Sequence, residues 1–140
     1  MISVDTGVFL ALADRSDSWH ESARRALGTI EEGWMTTWPV LTEACHLMQR
    51  RIGAYAVFDL MDVVSDGSVD IWSPSPAQAA SLPALMRRYD NLPMDLADAS
   101  LVLLAEHLGH GRILSTDMRD FGAYRWKNRK PFKNLLETPR

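Results

Sequence analysis

The chain has a single cysteine, Cys45, among its 140 residues. No internal disulfide can form, and the fold must rest on an apolar core. It has no apolar run approaching the ~20 residues that a membrane-spanning helix requires. Its opening residues, Met1-Ile2-Ser3-Val4-Asp5, include neither a basic stretch nor an apolar stretch of the signal-peptide kind. A cytoplasmic protein with no membrane association is expected. No second cysteine or suitably spaced histidine accompanies Cys45 and His46, which excludes a structural zinc set. Internal repeats, low-complexity tracts and linkers are also missing. With a hydrophobic content of 46%, the expectation is one domain over residues 1–140 that buries a real core.

Charge of one sign is not lacking, but it is unevenly spread. Residues 1–118 hold 8 Lys and Arg against 16 Asp and Glu, a balance of −8, and residues 119–140 hold 7 against 2, a balance of +5. The sum of −3 argues mildly against attraction of the whole molecule to nucleic acid, while the C-terminal segment is basic.

Short apolar runs alternate with helical periodicity. Ile2-Ser3-Val4 reads as a buried strand ending at Asp5, followed by a helix from Thr6 to Asp14. A second helix follows the Ser16-Asp17-Ser18 loop and runs to about Glu31. Residues 33–37 read as a strand, and Pro39 suits the first turn of a helix bearing Val40, Leu41, Ala44, Leu47 and Met48. Gly53 separates that helix from another ending near Asp66-Gly67. Val69 to Trp72 alternates as a strand, and Pro74 and Pro76 open a helix with Pro83 inside it as a kink. Met94 to Leu108 gives the clearest helix, closed by Gly109. Arg112 to Ser115 is a last clear strand, with an edge strand expected near Phe132. Strand-helix alternation of this kind indicates an α/β fold with a mainly parallel sheet of four or five strands, and ligands beyond the strands' carboxyl ends.

Acids mark those carboxyl ends. Asp5 and Asp117 each follow a strand, Glu43 lies early in the helix after a strand, and Asp95 and Asp98 share one face at the start of the buried helix. Each has an ordinary explanation as a cap or a first-turn acid, and Thr116 with Asp120 reads as a capping arrangement. In a parallel sheet, however, these positions face one crevice. Two like charges ~4 Å apart repel by about 4 kcal/mol at an effective dielectric near 20, so such a cluster calls for a cation. Oxygen ligands alone select Mg²⁺ or Mn²⁺, ions suited to phosphodiester hydrolysis.

Asp5-Thr6-Gly7, Thr42-Glu43, Met94-Asp95-Leu96-Ala97-Asp98-Ala99 and Ser115-Thr116-Asp117-x-x-Asp120-Phe121 together resemble the four signature segments of PIN-domain ribonucleases, of the VapC type found in bacterial toxin–antitoxin pairs. The resemblance covers essentially the whole chain. It implies a three-layer α/β/α sandwich, Mg²⁺- or Mn²⁺-dependent endonucleolytic cleavage of RNA, a homodimer, and a cognate antitoxin whose C-terminal segment occupies the groove and crevice. By position it assigns catalysis and metal binding to Asp5, Glu43, Asp98 and Asp117. Asp95 and Asp120 are further candidate ligands, and Thr116 assists by hydrogen bonding. The basic C-terminal segment adds Arg125, Lys127 and Arg129 as candidate RNA contacts, and Trp126 as either a base-stacking residue or an anchor to the core.

Two other metal-dependent α/β classes fail on their own motifs. A haloacid-dehalogenase-type phosphatase needs an acid two residues after Asp5, where Gly7 stands. A response-regulator receiver needs paired acids after its first strand and a lysine after its last. The rival from another class is a PIN-like module that binds RNA or protein without cutting, a role that does not require four mutually repelling carboxylates.

Overall fold

In a computed structural model describing residues 1–140, the chain begins with β1 (Ile2–Val4), α1 (Thr6–Ala13), α2 (His20–Thr29), β2 (Trp34–Thr37), α3 (Trp38–Arg51) and α4 (Ala54–Ser65). It continues with β3 (Val69–Trp72), α5 (Pro76–Ala79), α6 (Leu82–Arg88), α7 (Leu96–Leu108) and β4 (Arg112–Leu114). It closes with α8 (Met118–Ala123), β5 (Arg125–Trp126), β6 (Lys130–Pro131) and β7 (Lys133–Asn134).

Five strands form one sheet in the order β3-β2-β1-β4-β7, and every neighbouring pair is parallel. All five therefore end at the same edge. The chain leaves β1 toward β2 and leaves β4 toward β7, in opposite directions. Their carboxyl ends flank the topological switch point, where open α/β sheets hold their ligands. Helices cover the sheet, α1 packing on α2 and α3, and α7 lying against β1 and β2. The α/β/α sandwich expected from the sequence is the fold observed.

One cluster of 33 buried apolar residues reaches from Ile2 to Leu136, so the basic C-terminal segment shares the core of the rest. Helix α7 is buried on most sides, with Leu101 and Leu104 fully enclosed. Truncating either to Ala would cost about 2–5 kcal/mol.

One expectation is corrected. The helix drawn through Pro83 is two short helices, because Pro83 takes the first turn of α6, where its missing N–H leaves no bond unmade. Helix α2 follows the Ser16-Asp17-Ser18 loop as expected, and Asp17 turns its carboxylate onto the N–H of Trp19 just before it. The edge strand expected near Phe132 is β7, pairing parallel to β4.

Candidate active site

Asp5 leaves β1 and caps α1. Its Oδ1 accepts the N–H of Thr6 at 2.7 Å, and its Oδ2 accepts the hydroxyl of Ser115 at 2.8 Å. Ser115, at the end of β4, also accepts the N–H of Asp117 at 2.9 Å, tying the loops after β1 and β4 together. Asn134 grips the same loop from β7, its amide nitrogen donating to the Ser115 carbonyl at 2.8 Å and its amide oxygen accepting the Ser115 N–H at 3.2 Å.

Helix α3 follows β2 without a loop, Thr37 capping it and Pro39 sitting in its first turn. This delivers Glu43 to the same edge, where Glu43 Oε2 accepts the Thr6 hydroxyl at 3.5 Å. Helix α7 is held beside α3 by a 2.6 Å bond between the Thr37 and Ser100 hydroxyls. Its cap is Asp95, whose Oδ1 accepts the Asp98 N–H at 2.8 Å. Asp98 lies in the first turn, and its Oδ2 accepts the hydroxyl of Tyr124 at 2.9 Å.

The cap of α8 is Asp117, whose Oδ1 accepts the N–H of Asp120. This corrects the reading of Thr116 as that cap. Thr116 instead leans on α1, where a Cβ on Gly7 would overlap its Oγ1 and crowd its Cβ.

Each acid whose carboxyl is raised is pushed in part by the charge of another of the set. Burial pushes the Asp5 carboxyl up to about 6 against the pull of the Ser115 and Thr6 hydrogen bonds, and the charges of Glu43 and Asp117 push it further. Burial, and then the Asp95 charge, push Asp98 up to about 7. Glu43 is raised by burial and by Asp95, and Asp120 by burial and by Asp117. None of the six acids is in an ion pair; Arg24, Arg25 and Arg112 pair instead with Glu21, Glu137 and Glu32.

No three carboxylates converge to bonding distance of a single point. An open set of oxygen donors fits an ion that keeps several waters and engages one or two carboxylates, as Mg²⁺ does, and not a closed zinc cage.

The candidate cations do not join this cluster. Arg125 turns its guanidinium onto the carbonyls of Gly122, Ala123 and Tyr124, closing the end of α8. Trp126 is buried, with its indole N–H on the Pro131 carbonyl and its ring against Gly111, at the start of β4. It is an anchor. Lys127 and Arg129 are exposed on the β5–β6 hairpin, which lies by Gly111 and by Glu106 near the end of α7, at the opposite end of β4 from Asp117.

Tyr124, Ser115, Thr6 and Asn134 had no assigned role in the sequence. Ser115 and Thr6 adjoin predicted acids, which is a usable signal. Tyr124 and Asn134 carry none, because folding alone brings them to the loop.

The PIN domain family matches residues 2–127. The chain belongs to that family. Among PIN-domain proteins it is similar to Ribonuclease VapC26 of Mycobacterium tuberculosis, with 23% identity over 122 residues that cover 87% of this chain and 90% of that protein. Its fold matches the crystal structure of Mycobacterium tuberculosis VapC20, described as a Sarcin-Ricin loop cleaving toxin, with a TM-score of 0.78 and 22% identity over 85% of this chain and 92% of that one. A PIN-domain sandwich accounts for the parallel sheet and the helices on its faces.

Proposed function

We propose that this protein is a Mg²⁺- or Mn²⁺-dependent endoribonuclease and the toxin of a toxin–antitoxin pair. The observation that carries the reading is the gathering of Asp5, Glu43, Asp98 and Asp117 beside the β1–β4 switch point, without a cation partner, in a chain of the PIN-domain family. Asp95 and Asp120 stand at the rim as further ligands, and Thr116 assists from the Gly7 side.

A divalent cation held there supplies neutralisation of the charge that builds up when water attacks an RNA phosphodiester in line. The chain's own residues prepare that place. Ser115 and the Thr6 N–H fix both oxygens of Asp5, and Thr6 orients Glu43. Glu43, half-buried and raised by that burial and then by the charge of Asp95, is in this reading the group that takes a proton from the attacking water.

An apolar groove of about 560 Å³ opens between α1, α2 and α4, lined by Phe9, Leu12, Leu27, Tyr55, Leu60 and Val63. Leu27 and Tyr55 are more than half exposed there. We propose that an apolar segment of the cognate antitoxin lies in it, and that the toxin is a homodimer.

EDTA is expected to abolish cleavage of a mixed RNA pool, and Mn²⁺ to restore it. Asp98→Asn is expected to lower cleavage at least a hundredfold, about 3 kcal/mol of barrier. Cleavage by Asp98→Asn at the parent rate would refute the assignment.

A further inference from the structure

Tyr124 is fully buried, yet its hydroxyl reaches the acidic edge and donates to Asp98 Oδ2 at 2.9 Å. It is the only protein donor to that carboxylate, whose charged neighbours, Asp95 and Asp5, are themselves acids. The ring has little freedom. Tyr89 meets it edge-on at 5.1 Å between centroids and 72°, and Phe121 does so at 5.2 Å and 88°. The hydroxyl of Tyr89 accepts the N–H of Arg125, the next residue along, and Phe132 backs Phe121 at 5.2 Å. A donor fixed in this way selects one orientation of the carboxylate it bonds.

We propose that Tyr124 is a positioning residue for the divalent cation: its hydroxyl holds Asp98 by Oδ2 and leaves Oδ1, which has no protein donor, to the ion. The inference rests on the cation site proposed above. An Asp98 free to rotate would swing from its acidic neighbours, Asp95 and Asp5, toward solvent, and the phenol prevents this without adding a positive charge that would compete with the ion. Partners of this kind, one bond removed from the metal, change affinity by about 10–100-fold when they are lost.

The test is Mn²⁺ binding to the RNA-free protein, read from the electron paramagnetic resonance signal of free Mn²⁺. Tyr124→Phe keeps the ring and its edge-on contacts and removes only the hydroxyl. It is expected to bind Mn²⁺ roughly tenfold more weakly, near the lower end of that range. Binding within about twofold of the parent, with Asp98→Asn impaired, would overturn the role of Tyr124 and leave the cation site standing. Parent-like binding by both variants would overturn the site and the inference together.

A second measurement keeps the Tyr124 hydroxyl in place. The chain has three tyrosines, so 3-fluorotyrosine labelling gives three fluorine resonances. Tyr55→Phe and Tyr89→Phe identify two of them, and the third belongs to Tyr124. Titration with Mg²⁺ is expected to shift that third resonance, and an unmoved resonance at saturating Mg²⁺ would refute the proposal.

Discussion

Gly7 shows how far a single residue shapes the site. It is the second residue of α1, and a side chain there would run into Thr116, one position before Asp117. Rotating the Thr116 hydroxyl away still leaves the Thr116 Cβ 3.1 Å from the position a Gly7 Cβ would take, so Thr116 must also give by a few tenths of an ångström. Gly7→Ala is therefore expected to destabilise by about 1–3 kcal/mol, by forcing the loop after β4 outward, and to lower cleavage as Asp117 moves. Gly28 is the control, exposed near the end of α2 with nothing within 4 Å of the place a Cβ would occupy. Gly28→Ala should raise stability by about 0.5–1 kcal/mol through helix propensity. Thermal unfolding of the two variants checks both signs, and a neutral Gly7→Ala would show that Thr116 is not pinned. In Asp95 and Asp117 the capping N–H bond engages Oδ1, so the cap leaves Oδ2 for the ligand role proposed above.

Among the elements, the β5–β6 hairpin departs furthest from the expectation of a basic RNA-binding tail. Lys127 and Asn128 form its tip with φ of 48° and 61°, a left-handed conformation in which non-glycine residues are uncommon. Its stem is fixed by buried Trp126, over which Lys130 sits at 4.9 Å from the ring centroid. Exposed Lys127 and Arg129 thus stand at the far end of β4 from the acids, where an RNA must extend beyond the acidic edge to reach them. Replacing both with Gln is expected to lower the salt slope of binding by about one to two units for a long RNA. The slope for an oligonucleotide short enough to fill only the acidic edge should stay unchanged. An equal loss for both lengths would place the hairpin next to the cleavage site. Arg125 belongs to a different group, because its guanidinium closes α8 and its loss should reduce stability before affinity.

For the whole molecule, the acidic edge links folding to pH. Asp5 and Asp98 go from 3.8 to about 6 and about 7 in the folded chain. Between those values the folded state binds more protons than the unfolded one, so metal-free stability falls as pH rises from about 4 to about 7 and returns on acidification. Buried Asp5 alone contributes on the order of 2–3 kcal/mol to this swing. Asp14, Glu32 and Asp66 are held below their ordinary values by hydrogen bonds or an arginine, and their contribution has the opposite sign, being lost on acidification. Saturating Mg²⁺ replaces the protons and should flatten the slope, while its own affinity weakens on acidification. Melting temperatures across this range, with EDTA and with Mg²⁺, test the linkage, and a flat EDTA curve would contradict it. By itself the sequence determined the alternation of strands and helices, because hydrophobic period, proline and glycine act over a few residues. It also marked the acids, because each follows a strand or opens a helix within a few positions. Only the tertiary structure decided what holds them: Ser115 reaches Asp5 across 110 positions and Tyr124 reaches Asp98 across 26. It also decided that the basic hairpin faces away from the acids, since the anchoring of Trp126 against Gly111 comes from packing, which no local pattern encodes.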